Sequence, residues 1–156
     1  MEKYSTMSQN TLDEKDFLLL KILKENSKLS TKEISKKLLM PLTTIHNRIK
    51  KLERMNAIKN YTVNLNDKTL GTLSAFILVT VDYNILKLRN TTQHELVKTI
   101  KANDLVEQTA MVTGSHDVII KVRVKNIQEL DNFVTIYLRN LHGIQKTQTM
   151  VILNEV

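Results

Sequence analysis

Ser115-His116-Asp117 contains the residue types of a hydrolytic triad. Three consecutive residues entering a strand project in different directions, so this spelling predicts a turn rather than a relay of side chains. Gly71, Gly114 and Gly143 are the only glycines and stand far apart, which excludes the glycine-rich phosphate loop and the dinucleotide fingerprint. His46, His94, His116 and His142 show no close metal-ligand pairing, and there is no cysteine, so neither a metal nor a disulfide is expected. No cofactor and no catalytic residue are predicted.

A different chemistry is written in Thr43, Thr44, His46, Asn47, Arg48, Lys50 and Lys51. Hydroxyl, imidazole, amide and guanidinium groups at the start of a helix reach base edges, and cations farther along, including Arg54, meet phosphates. Charge is distributed accordingly: residues 1–61 hold 13 Lys and Arg against 7 Asp and Glu, whereas residues 62–156 hold 10 against 9. Charge alone is equally compatible with a solvated basic face. A second polar group lies in the loop Thr113, Gly114, Ser115, His116 and Asp117, with Thr147 and Thr149 later in the chain. Gly114 permits close backbone approach, Asp117 suits an ammonium group and the two threonines suit a carboxylate, which together are the needs of an α-amino acid. An ordinary β-turn beside a Thr-rich strand has the same spelling.

The elements that must carry these groups follow from periodicity and capping. Beyond a polar tail over residues 1–11, Leu12-Asp13 reads as a staple and N-cap opening a helix with Phe17, Leu20 and Leu23 inward, ending near Asn26. Ser30 and Glu33 form a capping box for a second helix with Ile34, Leu38 and Leu39 inward, stopping at Met40. Pro41 suits the first turn of a third helix running to about Met55, with Ile45, Ile49 and Leu52 buried. Residues Tyr61 to Leu65 read as the strand of a wing. Residues 66–73, polar and containing Gly71, read as a linker.

From Ser74 onward the pattern is βαββαβ. Ala75 to Val81 is a continuous apolar strand, so both of its faces should be covered. Thr91 to Ala102 is a helix, Val106 to Thr113 and Val118 to Val124 are strands, Ile127 to Leu138 is a helix capped by Asn126, and Gln145 to Leu153 is a strand. The fold class is therefore α+β: an N-terminal winged helix-turn-helix over residues 1–65 and a C-terminal ferredoxin-like domain over residues 74–156. Both helices on one face leave the other apolar face open, and a partner subunit is the simplest cover.

Leu12-Asp13, Asp16, Leu20, Ile22-Leu23, Asn26, Leu29-Ser30, Glu33-Ile34, Thr44-Ile45, Arg48-Ile49, Leu52-Glu53, Ile58, Tyr61 and Gly71 fall at the spacings of the Lrp/AsnC regulators. Val112 to Asp117 and Gly143 to Thr149 resemble the C-terminal domain of the same family, so the resemblance spans about residues 12–156. It departs at Asn56, where the family has Gly, at Pro41, where Ser often caps the recognition helix, and at Ser115, where an acidic residue is common.

The resemblance implies a DNA-binding transcriptional regulator reading a pseudo-palindromic operator in double-stranded DNA. It further implies a homodimer assembled into larger rings, and an amino acid or similar small-molecule effector bound where the Gly114 loop meets a neighbouring dimer. It implies that Arg48 lies partly buried against its own scaffold or a phosphate. An alternative on the same two-domain plan is an enzyme similar to sirohaem decarboxylases, which has no need of the exposed residues on the third helix. The apolar run Phe17 to Leu23 is broken by Lys21 and suits neither a signal sequence nor a membrane span, so a cytoplasmic location with no membrane partner is expected.

Overall fold

A computed structural model describes residues 11–154, and the chain divides between Asn64 and Leu65 into two compact units. The polar tail predicted over 1–11 lies outside the described residues except for Thr11.

The first unit consists of α1 (Glu14–Glu25), α2 (Thr31–Leu38) and α3 (Leu42–Arg54). Asp13 caps α1 and exchanges hydrogen bonds with Asp16, while Ser30 and Glu33 form the same reciprocal box at α2. Among the described residues five buried side chains make the core: Leu19 and Leu23 of α1, Ile34 of α2, and Ile45 and Leu52 of α3. The buried stripe of α1 is therefore Asp16, Leu19 and Leu23, not the predicted Phe17, Leu20 and Leu23; Phe17 is 59% exposed.

Leu39, predicted inward, ends α2 in the left-handed region at φ 49° and is 92% exposed, because reversing the chain turns its side chain away from the helix stripe. Pro41 sits at the N-cap of α3, one residue earlier than predicted, and supplies no side-chain cap. Asn56 takes φ 55° after α3, the left-handed turn for which Asn substitutes for Gly. The predicted wing strand over Tyr61 to Leu65 does not form: those residues lie outside any ladder. Alternating polarity selects an extended chain, but a strand also needs a second strand, and none of the described residues pairs with this segment.

The second unit begins with α4 (Asp67–Leu70), so the segment read as a linker is structured. Asn66 caps α4, Gly71 ends it at φ 67°, and Asp67 accepts from the Thr72 hydroxyl and from Arg123. Then come β1 (Leu73–Val81), α5 (Tyr83–Leu88), α6 (Gln93–Lys101), β2 (Val106–Met111), β3 (Val118–Val124), α7 (Ile127–Asn132) and β4 (Ile144–Val151). A π-turn over Phe133–Tyr137 and a 3-10 turn over Leu138–Asn140 continue α7. The short α5 was not foreseen in the sequence; Asp82 caps it by accepting from the Asn84 and Ile85 amides.

The four strands pair antiparallel in the order β2-β3-β1-β4, the ferredoxin-like arrangement. Register decides the faces. Ala75, Ile77 and Val79 lie opposite Val122, Ile120 and Val118, and all six are buried under Leu96 and Ile100 of α6 and Leu130, Phe133 and Leu138 of the second helical segment. Phe76 and Leu78, opposite Lys121 and Ile119, occupy the other face and are half-buried, with Met150 beside them 43% exposed. Burial thus alternates along β1: the helices cover one face, and the other apolar face is open within one chain, as the arrangement of both helices on one side implies.

Candidate nucleic-acid interface and effector loop

Helix α3 presents two kinds of polar residue, and their surroundings separate them. Thr43, His46, Asn47, Lys50 and Arg54 are exposed, with Thr44 half-buried beside them. Lys51, expected on the same outer face, instead turns toward α1, and so does Arg48, whose partial burial against its own scaffold the resemblance implied. Arg48 Nη1 lies 2.8 Å from both Asp13 oxygens and 2.6 Å from Asp16 Oδ1. Lys51 Nζ lies 2.7 Å from Asp16 Oδ2 and 2.7 Å from the Thr11 carbonyl. Both side chains are about one-fifth exposed, whereas the Asp16 side chain is wholly buried. The reason is positional: residues 48 and 51 flank the buried stripe of Ile45 and Leu52, so their long stems run along the α1–α3 seam.

Burial pushes the Asp16 carboxyl up, but hydrogen bonds from Lys51, from the Asp13 amide and from Arg48 outweigh it and hold the group below its ordinary value. The Arg48 hydrogen bond holds Asp13 low as well. Sequence reading gave Asp16 no such role. Its pairing across 32 residues to Arg48 leaves no periodic signal. Along the second half of α3, Asn47, Lys50, Lys51, Glu53 and Arg54 border an open surface depression of about 620 Å³, and Glu53 accepts from the Tyr61 hydroxyl at 2.8 Å.

The loop between β2 and β3 is exposed at Thr113, Gly114 and Ser115 and half-buried at His116 and Asp117. Ser115 Oγ and His116 Nδ1 are 3.0 Å apart, closer than neighbouring residues at a strand entrance were expected to come. Asp117 does not extend that pair: its Oδ2 accepts from the Val81 amide at 2.8 Å and its Oδ1 from the Tyr83 hydroxyl at 2.9 Å. No three-member relay exists here. The Tyr83 hydroxyl is held above its ordinary value first by that hydrogen bond and then by burial. Gln93 Nε2 donates to the Asp117 carbonyl at 3.1 Å, so the strand entrance is fastened to the start of α6. The carboxylate predicted to meet an ammonium group is already bonded within the fold. Tyr83 and Gln93, which the sequence did not single out, are its partners.

Thr147 and Thr149 lie on one face of β4, opposite Val79 and Ile77 of β1. Val118, next to Asp117, also lies opposite Val79 but on the other side of β1. The loop and the threonines therefore flank β1, two strand spacings or about 10 Å apart, and do not converge within one chain.

Comparison with known proteins follows the same division. The family model for the Lrp/AsnC ligand binding domain matches residues 74–156, and that for a winged helix-turn-helix DNA-binding domain matches residues 12–59. The chain is 32% identical over 144 residues to the HTH-type transcriptional regulator FL11 of Pyrococcus abyssi, covering 92% of this chain and 90% of that protein. It is 37% identical over 142 residues to an uncharacterized HTH-type transcriptional regulator of Pyrococcus horikoshii, covering 90% and 91%. Among solved structures, a transcriptional regulator from Neisseria meningitidis in complex with L-Met superposes with a TM-score of 0.80 at 24% identity, over 94% of this chain and 92% of that one. AsnC of E. coli superposes with a TM-score of 0.73 at 22% identity, over 93% and 94%. No described helix is long and apolar enough to cross a membrane.

Proposed function

The chain belongs to the Lrp/AsnC family of HTH-type transcriptional regulators, and from that premise we propose that α3 reads duplex DNA through Thr43, His46 and Asn47 while Lys50 and Arg54 hold phosphates. The observation that carries this reading is the sorting of polar residues on α3. Thr43, His46 and Asn47 near its N-terminus are exposed, as base-reading groups must be. Arg48 and Lys51 leave the reading set because Asp13 and Asp16 hold them. Thr44 remains at its margin.

The test is selection of bound fragments from random duplex DNA, followed by affinity measurement on the selected operator. Losing a base contact costs about 1–3 kcal/mol at one operator position. A Thr43→Ala, His46→Ala, Asn47→Ala triple variant with unchanged operator affinity would remove α3 as the reader.

The half-exposed face of Phe76, Leu78, Ile119 and Met150 supports assembly as a homodimer whose two heads read a pseudo-palindromic operator. The effector is an α-amino acid or similar metabolite, and its binding groups are Thr113, Gly114, Ser115 and His116 of the loop with Thr147 and Thr149. Because these flank β1 within a single chain, a second subunit completes the pocket. Asp117 serves that pocket by fixing the loop rather than by pairing with ligand. Titration calorimetry against the twenty amino acids tests this: binding by the parent with weakening in Thr149→Val is expected, and binding unaffected by that change would move the site. The family is one of DNA-binding regulators, and the bonds made by Asp117 weigh against a hydrolytic use of Ser115 and His116. A sirohaem-decarboxylase-like activity would show as a coloured purified protein.

A further inference from the structure

Helix α3 carries four cations, Arg48, Lys50, Lys51 and Arg54, and the fold treats them in two pairs. Lys50 and Arg54 are exposed. Arg48 and Lys51 converge on one wholly buried carboxylate from α1, at 2.6 and 2.7 Å, and Arg48 takes a second acid, Asp13, at 2.8 Å. Enclosing a carboxylate is costly unless it is fully paired. This enclosure is not even complete, since Arg48 Nε is buried with no hydrogen-bond partner among the described residues. Simple helix packing does not require it, because the seam already holds Leu19, Ile45 and Leu52.

We propose that Asp16 limits the salt-dependent affinity of α3: it withholds Lys51, and together with Asp13 it withholds Arg48, from the phosphate backbone, so that the part of DNA binding shared by every sequence is smaller. This rests on α3 being the DNA-reading helix. The physical ground is counterion release. Each phosphate neutralised by a cation steepens the fall of log affinity with log salt by about 0.9 on duplex DNA and strengthens binding to every sequence alike. A cation held by an internal carboxylate adds nothing to that term. Freed, Arg48 and Lys51 would add to it without reading a base.

The experiment measures fluorescence anisotropy of the full chain with a random-sequence duplex and with a selected operator, across about 50 to 300 mM salt. Lys50→Gln serves as control and lowers the salt slope on both duplexes by about 0.9. Asp16→Asn is expected to steepen the slope on both duplexes by about 0.9, for the Lys51 it frees while Asp13 keeps Arg48, and to tighten binding to both at low salt. Loss of fold alone would weaken both affinities without steepening the slope. An unchanged slope on random duplex in folded Asp16→Asn overturns the proposal.

Lys51→Gln decides the matter if Asp16→Asn does not fold, as judged by circular dichroism. The slope on random duplex then stays at the parent value, because Lys51 was not on a phosphate, and a fall of about 0.9 refutes the assignment. Failure of the underlying reading looks different: the control Lys50→Gln and the triple variant at 43, 46 and 47 would both leave binding unmoved.

Discussion

Replacing Asp117 by Ala should destabilise the second unit before any ligand is considered. Its carboxylate accepts from the amide of Val81, which is only 4% exposed, so truncation leaves a buried donor unsatisfied. A hydrogen bond to a charged acceptor contributes about 1.5–3 kcal/mol, and the more exposed bond from Tyr83 contributes about 0.5–1 kcal/mol after solvent screening. Because Asp117 is itself half-buried, the total is set near 2–3 kcal/mol rather than at the sum of the upper limits. For a unit of this size each kcal/mol moves the melting midpoint by roughly 4–8 °C, so a fall of about 10–20 °C is expected in thermal unfolding of that unit. Tyr83→Phe keeps the Val81 bond and should lose only the smaller share. A spectroscopic check is independent of stability: Asp117→Asn should move tyrosine ionisation down toward the ordinary value near 10, since the carboxylate is the leading cause of its elevation. Asp117→Ala melting within a few degrees of the parent, with tyrosine titration unchanged in Asp117→Asn, would refute the assignment of Asp117 to the fold.

Two further outcomes follow from the same geometry. Gly143 has φ 94°, and a Cβ placed there would lie 2.3 Å from Cδ2 of the buried Leu86, so Gly143→Ala should cost about 2–4 kcal/mol in urea unfolding, from backbone strain and overpacking together. In the first unit, Asp16 is held below its ordinary value, so its contribution to stability is present above pH of about 4 and is lost as pH falls through the lower folded value. Helix content followed by circular dichroism on acidification should show this, and Asp16→Asn should be less stable at neutral pH with a flatter acid limb.

What the sequence made legible was local. Capping at Asp13, Ser30 and Asn126, the stop at Met40-Pro41 and the left-handed Asn56 are decided within a few residues, and the structure has them. Strand order and the helix-covered face follow from alternation and the βαββαβ sequence of elements. What sequence left open is decided by distant partners. Phe17 and Leu39 lost their inward places to a geometry set by Asp16 and by the turn after α2. Arg48 and Lys51 are ordinary basic residues until Asp16 is seen beside them. Asp117 has the right chemistry for an ammonium group, but Val81 and Tyr83 reach it first. The wing pattern of Tyr61 to Leu65 is real as a pattern, yet a period of two cannot supply the second strand.

Among the described residues the two hydrophobic cores differ in size: five buried side chains in the DNA-reading unit against fourteen in the sheet unit. A head resting on so few enclosed groups has little free energy of its own to spare. Any ligand that binds only its folded form adds RT ln(1 + [L]/Kd), about 2.7 kcal/mol at a hundredfold excess over Kd. Operator DNA thereby acts as a folding cofactor for the head. Amide hydrogen exchange in α1 to α3 should slow on occupied operator by roughly the factor of a hundred that this energy represents, while exchange in β1 and β3 stays near its unbound rate.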